Sequence, residues 1–391
     1  MLTLGQPQNM NAPFPSLPSG FDASAEFPIL NTWTFLNHAA VAPLSTRAGT
    51  ALEKYTREAT HDAYLNGRWY AIADEARARA ARLMNADATE IAFTKNTSEG
   101  LAFVANGWDW KAGDEIIGTA VEYPANVYPW MDLERRLGLK YTRVPEKNGR
   151  IEIDDLFAAV TPKTRMIALS HVEYASGFRN DVRAIGAFCR ARGILFCVDA
   201  IQSLGVLPVD VRAMNIDFLS ADGHKWLLGP EGCGVFFCRS ELIKNLRPEI
   251  GWLNVVNALD YGNYDFTLRD DAKRFECGSY NIPGILALNA SMQLIEEIGV
   301  ETISKRVLGL TDTLVEGLKN KGYDVVSSRR EGEASGIVSF VSRTHDLKEL
   351  NRDLMRQKFV LALREGRLRA SPHFYNSLEQ IERLLDALPG Q

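Results

Sequence analysis

The sequence predicts an α/β protein with a large domain built on a mostly parallel sheet, followed by a smaller α+β domain. Three observations predict it. Apolar runs alternate with helical patterns from residue 90 to 225, which is the signature of parallel strands joined by right-handed crossovers. Beyond Ile282 the pattern changes to a long helical stretch and then short strands with helices between and after them. A chain of 391 residues is long enough for two cores.

Residues 1–30, with Pro13, Pro15, Pro18 and Gly20, read as an irregular arm, either disordered or draped over a neighbouring subunit. The large domain is expected over 31–281 and the small one over 282–391. Thr34-Phe35-Leu36 reads as a short strand running into Asn37-His38-Ala39-Ala40, where small residues let a backbone approach a ligand closely or simply form a turn. Residues 45–84 read as helical, with arginines on the exposed face of Ala73–Met84. The strand Glu90–Thr94 leads to Lys95-Asn96-Thr97-Ser98-Glu99-Gly100 and an apolar helix. Thr97 or Ser98 suits the N-cap, and such a helix end is a ready phosphate cradle, although most capped helices bind nothing. Asp114–Gly118 is a strand ending in Glu122-Tyr123-Pro124-Ala125-Asn126. Tyr123 there either stacks on a flat ligand or packs on its own helix.

Further strands are Arg165–Ser170, then Phe196-Cys197-Val198-Asp199, Ile216–Ser220, and Cys233–Cys238, the last running back. The small domain takes Asp324–Ser328, Gly336–Val341 and Phe359–Leu363 as strands. In it, Arg364-Glu365-Gly366-Arg367-Leu368-Arg369 suits capture of a carboxylate or is a solvated basic cluster.

Composition narrows the class. Hydrophobic residues make up 46% and charged residues 24%, as in ordinary soluble domains. A net charge of -5 argues against a nucleic-acid binder. No apolar run reaches a membrane span and no secretory signal is evident, so no membrane partner is expected. Five scattered cysteines fit reduced thiols and a cytoplasmic location, and no His/Cys cluster has zinc spacing, so no metal is expected.

Chemistry concentrates at Asp199 and Lys225. Two strands ending before them would put both side chains at the carboxyl edge of the sheet, where open α/β sheets hold ligands. An acid and a lysine in one crevice are what pyridoxal 5'-phosphate (PLP) needs: the lysine forms the Schiff base and the acid pairs with the pyridinium nitrogen.

The motifs Leu36–Ala40, Thr94–Gly100, Glu122–Asn126, Val198-Asp199-Ala200-Ile201-Gln202-Ser203, Gly223-His224-Lys225, Arg274–Ser279 and Arg369-Ala370-Ser371 occur in a consistent order. On them the chain, from about residue 30 to its end, resembles the class V aminotransferase family of fold-type I PLP enzymes. That family includes cysteine desulfurases, cystine lyases and isopenicillin N epimerases. The resemblance implies a large domain with a mostly parallel seven-stranded sheet. It implies that Lys225 binds the cofactor and moves the substrate α-proton, with Asp199 on the ring nitrogen and Gln202 on the ring oxygen. Thr97, Ser98 and His224 would hold the phosphate, and Ser279 would reach it from the partner subunit, making a homodimer with shared active sites. Tyr123 would stack on the ring and act in catalysis, and Tyr174 would sit beside the ring oxygen. Asn37, His38 and Arg369 would bind the small amino-acid substrate, Arg369 through its α-carboxylate.

Four departures from that pattern bear on the reaction. The Arg364–Arg369 segment is short and lacks the desulfurase cysteine. Tyr123 stands where desulfurases place a histidine, and Tyr174 where an asparagine is usual. Asp222 replaces a phosphate-contacting serine, so its carboxylate is expected to point away or bond backbone N–H groups. The resemblance therefore implies a desulfurase-like lyase performing β-elimination. Transamination is the first alternative, and epimerisation with His38 or Tyr174 as second proton donor is the next.

Overall fold

The computed structural model describes residues 14–391; part of the expected arm, residues 1–13, lies outside them. Phe14 and Pro15 pack on the later helix that carries Arg306, whose Nη1 donates to the Pro15 carbonyl at 2.5 Å. The short helix α1 (Ala23–Glu26) then leads to β1 (Thr34–Phe35). The helical stretch expected over 45–84 forms two helices, α2 (Thr46–His61) and α3 (Trp69–Leu83). One of the arginines expected on the exposed face of α3 is buried: Arg77 is 3% exposed and forks onto Glu276 at 2.6 and 3.1 Å. A planar guanidinium can satisfy a carboxylate bidentately, so charge alone did not place it in water.

The large layer follows as β2 (Ile91–Thr94), α4 (Thr97–Gly107), β3 (Glu115–Thr119), α5 (Tyr128–Leu137), β4 (Lys140–Val144), α6 (Ile153–Ala158), β5 (Thr164–Ser170), α7 (Val182–Arg192), β6 (Leu195–Asp199), β7 (Phe218–Asp222) and β8 (Gly234–Cys238). These strands form one seven-stranded sheet in the order β2-β8-β7-β6-β5-β3-β4, in which only β8 runs against its neighbours. The central strands β6, β7 and β8 are buried almost throughout, as expected for a sheet covered on both faces. The edge strand β4 alternates exposed and buried positions, which is why no apolar run marks it in the sequence.

The remaining elements are α8 (Ile282–Ile298), α9 (Val300–Asn320), β9 (Asp324–Val325), β10 (Val338–Val341), α10 (Leu347–Arg356), β11 (Phe359–Val360), β12 (Ala362–Arg364), β13 (Arg367–Ala370) and α11 (Leu378–Ala387). The helical stretch from Ile282 breaks at Gly299, whose φ of 83° suits glycine. Helix α8 packs on α2 and α3, whereas α9 packs on α11 and the second sheet, ordered β12-β13-β10-β9. β1 pairs in parallel with β11, and Leu36 is buried in that second core, so the entering chain ties the two layers together. No helix among the described residues is long and apolar enough to cross a membrane.

Candidate active site

The carboxyl ends of the central strands open into a cavity of about 290 Å³ lined by Thr97, Ser98, Tyr123, Tyr174, Asp199, Gln202, His224, Lys225 and Arg369 among others. Nine of the residues singled out from the sequence thus meet in one place, drawn from the start of α4, the end of β6, the loops after β3, β5, β6 and β7, and one strand of the second sheet.

Asp199 ends β6, is 2% exposed, and accepts a hydrogen bond from Ile201 N–H at 2.9 Å. Burial pushes its carboxyl up to about 6, opposed by that N–H and by the Lys225 charge. Lys225 follows β7 and is 8% exposed. Burial pushes its ammonium down to about 8; Asp199 opposes this, while the Arg369 and Arg364 guanidinia add to it. An amine in that range exchanges protons readily near neutral pH. Its Nζ lies 5.6 Å from the centre of the Tyr123 ring, and the Tyr174 ring meets Tyr123 edge-on at 5.2 Å.

The phosphate end is built by α4. Asn96, rather than Thr97 or Ser98, is the N-cap, with its side-chain oxygen accepting Glu99 N–H at 3.0 Å. This leaves Ser98 exposed at the cavity while the Thr97 hydroxyl accepts Asp222 N–H at 3.0 Å. The helix end reaches the sheet because Gly100 has no side chain: a Cβ there would lie 2.3 Å from Ser220 Oγ. Asp222 also lines this cavity; it accepts the Gly223 N–H at 2.7 Å, and its other oxygen lies 3.0 Å from His224 Nδ1 without the alignment of a hydrogen bond.

Arg369 occupies the middle of β13, between Ser339 of β10 and Ala362 of β12. It is 1% exposed, against the reading of a solvated cluster, and Nη1 donates to the Tyr174 carbonyl at 2.7 Å. Its Nε and Nη2 are buried without partners, which leaves part of the guanidinium fork available to an incoming carboxylate. Arg364 reaches the same cavity from β12, at the start of the turn that leads to Arg369, and bonds only its neighbour's carbonyl at 3.0 Å. Neither arginine pairs with a carboxylate among the described residues. The turn between them has Glu365 at φ 46° and Gly366 at φ 71°, the left-handed pair of a tight hairpin.

Several assignments need revision. His38 is fully buried, with its ring nitrogens 2.8 Å from the Ser371 carbonyl and 2.5 Å from the Tyr375 hydroxyl, and it does not line the cavity. It is a core residue, held neutral by burial, which pushes it down to about 4. Asn37 is bridged to Ser371 and likewise stands outside the cavity wall; Ala39, Ala40 and Val41 form that wall instead. Tyr174 directs its hydroxyl to the Glu365 carboxylate instead of toward a ring oxygen. Gln202 does line the cavity, but its oxygen accepts from Trp226 Nε1 at 2.8 Å and its nitrogen donates to the Ala39 carbonyl at 3.1 Å. One amide hydrogen remains for a ligand. Ser279 lines a different cavity, beside Lys95 and Cys277. Asn96, which also lines the main cavity, is given no role by the sequence, and Arg364, also in the lining, is named only as part of the Arg364–Arg369 segment.

A buried lysine without a hydrogen-bond partner among the described residues, a buried acid, a helix end and a half-free guanidinium converge on one cavity, and this donor set fits PLP. Residues 34–384 match the aminotransferase class-V family. The chain belongs to the class V aminotransferase family. It is similar to a probable cysteine desulfurase of Methanothermobacter thermautotrophicus, 30% identical, covering 94% of this chain and 96% of that one. Another of Pyrococcus abyssi is 33% identical over 81% and 82%. Among solved structures, the apo cysteine desulfurase of Thermococcus onnurineus NA1 superposes with a TM-score of 0.86 at 28% identity, covering 95% and 97%. The cystine C-S lyase C-DES in complex with its product cysteine persulfide gives 0.86 at 25% identity, covering 93% and 100%. This class V protein is a PLP-dependent enzyme, and the cavity around Lys225 is its candidate active site.

Proposed function

We propose that the protein is a carbon–sulfur β-lyase acting on a small amino acid that carries a second acidic group, of which cystine is the type. The observation that carries this reading is a pair of arginines, Arg364 just before the Glu365-Gly366 turn and Arg369 three residues after it, both in the cavity and both without a carboxylate partner among the described residues. Arg369 takes the α-carboxylate; Arg364, nearer the mouth, takes the second anionic group. A desulfurase needs a thiol nucleophile, and no cysteine lines this cavity: Cys189, Cys197, Cys233 and Cys238 are buried elsewhere and Cys277 faces another hollow. Burial holds the Cys197 and Cys233 thiols far above their ordinary value, so they are inert.

Bound PLP supplies an electron sink that stabilises the pair left on Cα. Lys225 would hold the cofactor and, once free, would take the Cα proton, so that the electron pair can form the Cα–Cβ double bond as the Cβ–S bond breaks. The sulfur leaves as a thiolate or persulfide and is protonated. The released enamine hydrolyses to a 2-oxo acid and ammonia. The Asp199 carboxylate would sit beside the ring nitrogen and keep it protonated, and Tyr123 would cover one face.

The same arginine pair suits a dicarboxylic 2-oxo acid, which keeps transamination as the second reading. Epimerisation loses one of its candidate donors, because His38 is sealed in the core. Incubation with L-cystine, L-cysteine and L-glutamate separates these reactions. β-Elimination yields pyruvate and ammonia from cystine; stoichiometric keto-acid exchange without pyruvate would overturn the lyase reading.

We further propose a homodimer with shared sites. Trp252, Leu259, Tyr261, Tyr264 and Phe266 are 47–98% exposed on one segment, more apolar surface than an isolated subunit ordinarily presents. Covering that segment would bring a partner close to the loop that ends in Ser279. A monomer in sedimentation with full activity would exclude it.

A further inference from the structure

Two more carboxyl groups lie buried near Asp199, and the proposed reaction uses neither. Glu122 follows β3 and is 6% exposed; Glu173 follows β5 and is 1% exposed. Both face one hydroxyl, Thr119 Oγ1, at 3.2 Å from Glu122 Oε1 and 3.3 Å from Glu173 Oε1. That hydroxyl has one hydrogen and can donate to only one of them. The other contact needs a proton on the carboxyl, since otherwise two acceptors face each other in a dry interior.

Counting donors says which acid carries the proton. Glu122 accepts from Ser170 N–H at 2.8 Å, the Ser170 hydroxyl at 2.6 Å and Asn126 Nδ2 at 3.0 Å. With Thr119, these donors satisfy an ionised carboxylate. Apart from the contested Thr119 hydroxyl, Glu173 has among the described residues only Asn180 Nδ2 as a donor, at 3.0 Å on Oε1, and its Oε2 is buried with no partner. An ionised oxygen left bare there is more costly than the carbonyl oxygen of a neutral acid. Burial and the neighbouring acid push both groups upward, Glu122 to about 7 and Glu173 well above the carboxylate range.

We propose that Glu173 is held as a neutral acid which donates to Thr119, and Thr119 to Glu122, leaving one shared negative charge that reinforces Asp199. The two glutamates are then positioning residues for the cofactor's ring nitrogen, acting through Asp199. Strand register supplies the link: Ser170, which binds Glu122 twice, lies opposite Asp199 across β5 and β6, and His171 N–H donates to the Asp199 carbonyl at 2.9 Å. The other titratable groups facing the pair are Asp199 and Cys197 from β6 and Tyr141 from β4, with Arg143 beside it; Lys225 faces Asp199 from the loop after β7. One negative charge raises the proton affinity of Asp199 and of the nitrogen it holds. Two charges would repel Asp199 and each other, and none would leave the field out.

This inference rests on PLP binding but not on the choice of reaction. Infrared spectra of the holoenzyme at pH 7 should contain a band from a buried protonated carboxyl that E173Q abolishes. E173Q replaces a neutral group by a neutral one, so the pH at which the cofactor's visible spectrum titrates should stay nearly fixed. E122Q removes the charge and should lower that pH by about one unit, about tenfold in proton affinity. Loss of no carboxyl band in E173Q, or a spectral shift in E173Q as large as that in E122Q, would show that Glu173 is ionised and overturn the proposal. A purely structural role would lower thermal stability in both variants and move neither titration. If E122Q does not fold, the infrared band in E173Q alone decides.

Discussion

Replacing Arg364 by methionine tests the substrate assignment most directly, because it removes one guanidinium and keeps the length of the stem. A hydrogen bond to a charged group contributes about 1.5–3 kcal/mol. Arg364 is exposed at the cavity mouth, where water competes, so the lower end applies. About 1.5 kcal/mol corresponds to roughly a tenfold loss. The assay is kcat/KM for pyruvate formation from L-cystine and from S-methyl-L-cysteine, which has only the α-carboxylate. The diacid should lose about tenfold and the monoacid little more than about twofold. A second signature follows from charge. Arg364 helps lower the proton affinity of Lys225 and Arg369, so its removal should shift the ascending limb of the pH–rate profile to higher pH. Equal losses on both substrates would mean that Arg364 acts on the fold of the turn or on the cofactor. No loss on either would mean that the second anionic group binds elsewhere.

Other changes have defined outcomes. Lys225→Ala should abolish turnover and the visible absorbance of covalently held cofactor; an unchanged spectrum would remove Lys225 from its role. Arg77→Met leaves Glu276 buried without its cation and should cost about 3–5 kcal/mol in denaturant unfolding, with Arg77→Met/Glu276→Gln recovering part of it. The folded-state value of His38 lies at about 4, below the unfolded 6.5, so its contribution is present above 6.5 and is lost as pH falls toward 4. The stability advantage of wild type over His38→Gln should therefore shrink over that window by about 3 kcal/mol, and a gap that does not change with pH would show that His38 is not buried neutral.

The architecture was legible because it rests on periodicity. Strands β2, β3, β5, β6, β7 and β8 are apolar runs buried on both faces, and each announces itself locally. Asp199 and Lys225 were legible because strand ends point side chains at the ligand edge of such a sheet. What escaped depends on contacts between residues far apart in sequence. The resemblance names Arg369 for the α-carboxylate, but its residues alone leave a solvated cluster equally open, and its burial shows only when β10 and β12 pair on either side of it. Glu173 reads as a loop acid until Thr119 and Asn180 close on it. His38 looks like a ligand beside small residues, and only Tyr375, 337 positions away, shows that its ring is already satisfied.

The hairpin between β12 and β13 is where the proposed reaction depends on such contacts. Its two-residue turn, Glu365-Gly366, is too short to extend a nucleophile over the cavity, but it is the right length to set Arg364 and Arg369 on facing strands. Glu365 could have neutralised one of those arginines; it bonds Tyr174 instead, and the Tyr174 carbonyl takes a single Arg369 N–H. One tyrosine thus draws the nearby carboxylate away from the guanidinia and fixes the orientation of the buried one. The result is a turn that has no thiol to accept sulfur and two cations to receive a diacid. If the proposed lyase reaction holds, sulfur should leave in solution with the departing fragment, and persulfide recovered on the protein after turnover would refute it.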